Sequence, residues 1–234
     1  MQKISWLLLL SVFCSLSLSA QRLTTDDLYA VYGDSDYMKS IIKMDLVSKS
    51  DFETQKKDAS NYINKSKAKS YKKGNILTLP LTNGGEATYT DHKTDDITYQ
   101  EYEYFGQIDF LDVYMIEYVY SESSGFMFIS KADGSEIESF EEYPFISKDK
   151  RYIVTIKPDA YEHTAQIAIY KIENKRISLI TIDNFEKWTP LYEEQIFWSG
   201  RDNSLYIPAL HIDLHKLTKD MSNHSQYIRL SILE

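Results

Sequence analysis

"AQIAIYKIENKRISLITI", residues 165–182, reads as two strands joined by a short charged turn, "ENKR". In the first strand Ile167 and Ile169 point one way, and Ala168, Tyr170 and Ile172 the other. In the second, Ile177 and Leu179 oppose Ile180 and Ile182. A strand with one wet face alternates apolar and polar residues. Apolar residues on both faces place a strand between two covering layers, as when blades stack on blades. Burying one such Ile stabilises by roughly 1.5–3 kcal/mol, so this pattern decides the packing.

The stretch before it, "EEYPFISKDKRYIVTI" at residues 141–156, runs from an aromatic-Pro approach through a charged turn into a third strand of the same unit. About fifty residues later "FWSGRDNSLYIPAL", from Phe197, repeats that order: an aromatic, one residue, a Ser, a charged turn, then a Tyr-bearing strand. Two further units frame these. "FLDVYMIEYVY", "GFMFIS", the "KADG" turn and "SEIESF" form the earlier one. "EQIFWS", "GRDNS", "LYIPALHI" and "QYIRLSIL" form the later one. Ahead of all three, "NILTLPLTNGGEATYTD" reads as a hairpin about an Asn-Gly-Gly turn, and "DHKTDDIT", residues 91–98, as a polar connection.

Pro144, Phe145, Ser147, Asp149 and Ile153, followed by "AQIAIYKIENKRISLI", resemble the WD40-like repeat of TolB-type β-propellers. "GFMFISKADGSEI", with Gly134 in its turn, resembles the last hairpin of a preceding blade. The likeness covers about residues 100–210 and extends to a recurring type of uncharacterised secreted bacterial protein. Lys148 and Lys150 stand where the family's turn carries Pro and Gly. The resemblance implies blade-like antiparallel sheets serving as a scaffold for protein contact, and transfers no site residue. Three units and a hairpin fall short of the usual 4–8 blades. The fold expected is therefore mainly β, a partial or small propeller-like array, with a twisted β-sandwich as the alternative.

Residues 21–74 have a different texture and read as a short helical N-terminal segment ahead of a β-rich domain at 75–234. Met38, Ile41, Ile42 and Leu46 recur at helical spacing, as do Phe52, Ala59, Tyr62 and Ile63, with Gly74 as a stop. The Lys-rich run at 65–73 reads as a solvated helix face. Before it, Lys3, the apolar "ISWLLLLSVFCSLSL" and the small-residue "SLSA" form a secretory signal over residues 1–20. Its apolar run falls short of the roughly 20 residues that span a bilayer. Cys14 follows Phe13 rather than a small residue, which disfavours lipidation. The expected product is exported, periplasmic or extracellular, without cysteine, and held by its core alone.

Lys3 is the only charge in residues 1–20, so cleavage takes the formal charge from −9 to −10. That balance argues against nucleic acid and bare anionic membrane as partners. The 19 Tyr fit half-buried sheet positions, where the ring packs and the hydroxyl stays wet.

Chemistry leaves few traces. No Gly-x-Ser-x-Gly elbow or phosphate loop occurs, and the sequence assigns no catalytic or cofactor-binding residue. On a strand His211, Asp213 and His215 would share a face, where two imidazoles and a carboxylate suit zinc; ordinary polar residues on an outer strand, with Pro208 at an edge, are the competing reading, so no metal ligand is assigned. Glu101 with Glu103, Glu141 with Glu142, and Asp95 with Asp96 are carboxylate pairs expected in any acidic chain. "GDSD", residues 33–36, and "KADGSE", residues 131–136, read as helix-cap and turn chemistry rather than calcium loops. The leading functional reading is a non-enzymatic binding or scaffold protein that meets another protein or a cell-envelope polymer through a Tyr-rich β surface. The rival is a metal-dependent or carboxylate hydrolase acting on an envelope polymer.

Overall fold

The computed structural model describes residues 22–65, 71–159, 162, 164–191, 193–215 and 224–233. The secretory signal expected over residues 1–20, and most of the Lys-rich run, lie outside them.

The fold is mainly β, built as four antiparallel sheets. In chain order, helix α1 (Ser35–Ile41) leads into strand β1 (Ile42–Val47), helix α2 (Lys49–Lys56) and strand β2 (Ala59–Ser60). The first sheet holds β3 (Lys72–Lys73), β4 (Ile76–Pro80) and β5 (Glu86–Thr90). The second is a meander of β6 (Gln100–Ile108), β7 (Val113–Tyr120), β8 (Ser124–Ser130) and β9 (Glu136–Phe140). The third repeats that order with β10 (Phe145–Ile146), β11 (Tyr152–Pro158), β12 (Ala165–Glu173) and β13 (Arg176–Phe185). The fourth combines β14 (Trp188–Pro190), β15 (Phe197–Ser199), β16 (Leu205–His211) and β17 (Gln226–Ile232) with β1 and β2, so early and late strands of the described chain meet in one sheet.

The sheets stack in sequence order. Leu77 and Leu79 of the first pack on Tyr104, Tyr114 and Ile116 of the second. Val113, Met115 and Phe128, on the second sheet's other face, pack on Ile146, Ile153 and Ile172 of the third. The third sheet's opposite face, with Val154, Ile167 and Ile169, meets Trp198, Leu205, Ile207 and Leu230 of the fourth. Strand β12 is therefore covered on both faces, as its sequence requires. Phe52 of α2 then covers the fourth sheet's far face by packing on Phe197, Tyr206 and Tyr227. At the other end, the first sheet turns Ile76, Thr78, Thr88 and Thr90 outward. One end of the stack is closed by a helix and the other by a polar, Thr-rich face. Among the described residues no core joins the two.

Strand β13 departs from the expected two-sided burial. It is its sheet's edge, and a bulge at Ile180 shifts its register, so that Ile169 faces Thr181 and Ala168 faces Ile182. Ile180 packs on the core shared with the fourth sheet, while Leu179 and Ile182 are half exposed. Its turn, with positive φ at Asn174 and Lys175, is the two-residue mirror-image type that matches strand twist.

The N-terminal segment is less helical than its sequence predicts. Asp34 caps α1 by accepting from the Asp36 and Tyr37 amides, yet the helix ends at Ile41. From Ile42 a period of two takes over, and β1 pairs with β17 from Ile42↔Ile232 to Val47↔Tyr227. Helix α2, capped by Ser48, stops at Lys56, and Ala59 enters a strand. Pairing with a distant buried strand outweighs weak local helix propensity. The Asn83–Gly85 turn is a hairpin turn as expected: Asn83 Oδ1 accepts from the Gly85 amide at 2.8 Å, and Gly84 has φ +85. Asp133 likewise organises its turn by accepting from Ser135.

The tyrosines build the seam between the first two sheets. Tyr71 and Tyr104 rings lie 4.8 Å apart, Tyr89 and Tyr102 5.3 Å, and the Tyr102 and Tyr120 hydroxyls meet at 3.3 Å. Beside them Lys72 Nζ reaches buried Asp91 at 2.8 Å and Glu103 at 2.7 Å. Tyr102, Tyr104, Tyr114 and Tyr118 are buried in this seam, while Tyr71, Tyr89 and Tyr120 are half-buried at its margin.

Candidate functional site

One extended segment, residues 58–65, runs along the inner edges of three sheets. Asp58 O accepts the Gly200 amide at 2.7 Å, and Ala59 and Ser60 pair with Ser199 and Trp198 of β15. The Tyr62 hydroxyl donates to Lys148 O at 2.5 Å beside β10. Asn64 exchanges two backbone hydrogen bonds with Gln107 of β6, at 2.8 and 3.0 Å. Glycine permits both close approaches. A Cβ on Gly200 would sit 2.5 Å from Asp58 O, and one on Gly106 2.5 Å from Ile63 Cγ2. Sequence periodicity misses this segment because it reads 59–63 as helix.

Between the segment and the inner strands lies a slot of about 140 Å³, lined by residues that include Tyr62, Pro144, Phe145, Ile196 and Trp198. It opens into a wider, shallower groove of about 410 Å³ shared by Asn61, Tyr143, Phe145 and Ile196, with Lys65 and Glu193 at its rim. The slot is smaller than the roughly 300–1,000 Å³ of a drug-sized ligand site, so it suits one side chain or sugar ring of something larger.

Charge on the neighbouring groove, lined by Glu141, Glu142 and Lys157, is unevenly solvated. Burial pushes the half-buried Glu142 carboxyl up to about 7; the Glu193 and Glu141 charges add to this and Lys157 opposes it. Burial, aided by Glu193, pushes the Tyr143 hydroxyl up to about 12, against a hydrogen bond from Asn61. Glu141 is paired to Lys157. Glu142 lines a separate shallow groove with Tyr120, Glu141 and Lys157, and not the slot itself.

The other carboxylate pairs are structural. Glu101 pairs with Lys93 and Tyr99, and Glu103 with Lys72. Asp96 is held at about 2 by accepting from Thr98 and Thr94 within its own loop.

The His211, Asp213 and His215 arrangement is not a strand face. Strand β16 ends at His211, and Ile212–His215 forms the short helix α3. His211 turns inward, fully buried, with Nδ1 accepting from the Asp213 amide at 3.2 Å and lying 3.7 Å from Asp213 Oδ2. The His215 side chain lies outside what is described. Among the described residues no group of three His, Cys, Asp or Glu is placed to hold a metal ion. Pro208 is not at an edge either. Strand β16 is central, and Pro208 occupies the gap where its partner changes from β15 to β14. Its carbonyl accepts from Leu191 on that side, where no strand requires the missing N–H.

Compared with known protein families, with curated proteins and with solved structures, the chain matches none. No helix among the described residues is long and apolar enough to cross a membrane.

Proposed function

We propose that the chain is an exported, non-enzymatic binding or scaffold protein, whose blade-like sheets belong to the WD40-like type and whose partner is another protein or a cell-envelope polymer. The observation that carries this reading is the slot beside residues 58–65. Aromatic rings line it, a segment hydrogen-bonded to three sheets borders it, and it is sized for one group of a larger molecule. In this reading the Tyr-bearing contact surface includes the groove, where Tyr62 and Tyr143 line the walls. Capture by the immobilised protein from envelope extract and from purified peptidoglycan fragments tests it. Wild type retains a partner in stoichiometric amount, and Glu193→Trp, which crowds the exposed rim, does not. Equal retention by both, or none by wild type, overturns the reading.

Glu142, which shares a neighbouring groove with Glu141 and Lys157, supports a second reading, a carboxylate-dependent hydrolase acting on an envelope polymer, because burial raises its carboxyl and favours the proton-holding form. Release of reducing sugar or free amine from that polymer, abolished by Glu142→Gln, would favour it over binding alone.

A further inference from the structure

Strand β13 leaves one side unpaired. Its far end is covered: the Tyr32 amide donates to Asn184 O at 3.0 Å, the Glu186 amide to Ala30 O at 2.8 Å, and Val31 faces Phe185. Residues 176–182 have no strand on their outer side among the described residues. The run "ISLITI" within them contains no charge, Pro or Gly. Leu179 is 53% exposed and Ile182 51%. Edge strands are normally guarded by charge, Pro or shortness, because their open N–H and C=O groups template another strand. The neighbouring edge β9, "EIESF", carries such guards in Glu136 and Glu138. Strand β13 has only its bulge, which adds twist but no charge.

We propose that the occupant of this edge is a second copy of the chain, paired antiparallel through β13 so that two four-stranded sheets become one. Self-pairing suits the charge pattern. A two-fold axis near Leu179 brings Arg176, at the start of one strand, towards Asp183, near the end of the other. It also brings the exposed Leu179 and Ile182 of both copies together, removing four apolar side chains from water. A basic or acidic foreign strand would match only one end. This inference does not depend on what the groove binds.

Sedimentation of the purified protein over a concentration series tests it. A strand-to-strand contact is smaller than a standard interface, so a dimer dissociating in the micromolar range or weaker is expected, and the series reaches about 200 µM. Leu179→Lys and Ile182→Lys each place like charges across the axis and weaken the dimer by about tenfold or more, with an unchanged Tm because both side chains are half exposed. Ile76→Lys, an exposed position on the first sheet, leaves association unaltered. If a Lys variant lowers Tm, Leu179→Thr replaces it, with the same expected direction. Wild type that stays monomeric through the series overturns the proposal. So does a dimer that persists unweakened in both Lys variants.

Discussion

Asn203 and Asp149 lock the two repeated turns together. Asn203 Nδ2 donates to Asp149 Oδ2 at 3.0 Å, and the Asp149 amide donates to Asn203 Oδ1 at 3.3 Å. The same Oδ1 accepts Trp198 Nε1–H at 3.0 Å. The turns are alike: Phe145↔Val154 and Ile146↔Ile153 repeat as Phe197↔Tyr206 and Trp198↔Leu205, and Ser147 and Ser199 close them by donating to Tyr152 O and Ser204 O. Replacing Asn203 by Ala orphans the Trp198 indole and forces Ala into φ +53. We expect a loss of about 2–3 kcal/mol, read as a lower urea midpoint by tryptophan fluorescence. Asn203→Gly should lose less, the difference isolating the backbone cost.

The segment 58–65 is held where glycine admits it. Gly106→Ala and Gly200→Ala each push a methyl into that segment, against Ile63 and the Asp58 carbonyl respectively. Each should cost about 1–3 kcal/mol. Hydrogen exchange should show faster exchange at Asn64 and Gln107 in Gly106→Ala. Unchanged protection there would mean that the strand-to-sheet pairing tolerates the methyl.

Lys72 is mostly buried and pairs with Asp91, which is 2% exposed at its side chain and also accepts the Tyr102 amide. Lys72→Met leaves that carboxylate without its cation, and a loss of about 3 kcal/mol is expected. The double variant Lys72→Met/Asp91→Asn removes the orphaned charge and should recover part of it, measured by chemical denaturation at neutral pH.

Glu142 makes stability depend on pH in a defined direction. Its carboxyl is raised from 4.5 to about 7, so the folded chain holds the proton more tightly than the unfolded one. Its contribution is fully favourable below about 4.5 and declines as pH rises to about 7. Glu142→Gln should flatten this part of the profile and stabilise the protein above pH 7 by about 1 kcal/mol, after discounting for its solvent-facing half. Denaturation midpoints for both proteins across that window provide the measurement.

The β-rich class and the strands of three sheets are legible because Ile, Val, Met and Tyr fall on both faces along most of β7 and β12. The repeated Ser-centred turns are legible because a side chain that bonds its own loop needs fixed local spacing. Strand β6 escapes that reading: "QEYEYFGQI" carries Glu101, Glu103 and Gly106 in its outward and close-contact positions. The groove escapes it as well, since Asn61, Tyr143 and Glu193 come from segments distant along the chain.

The sequence by itself determined the alternation, the turns and the two-sided apolar strands, since each is set by residues within a few positions of one another. Only the tertiary structure decided that Ile42–Val47 is a strand, that residues 59–63 are extended, and that β13 is an edge. In each case the deciding partner is remote, and burial against it outweighs a local preference worth less than about 1 kcal/mol per residue.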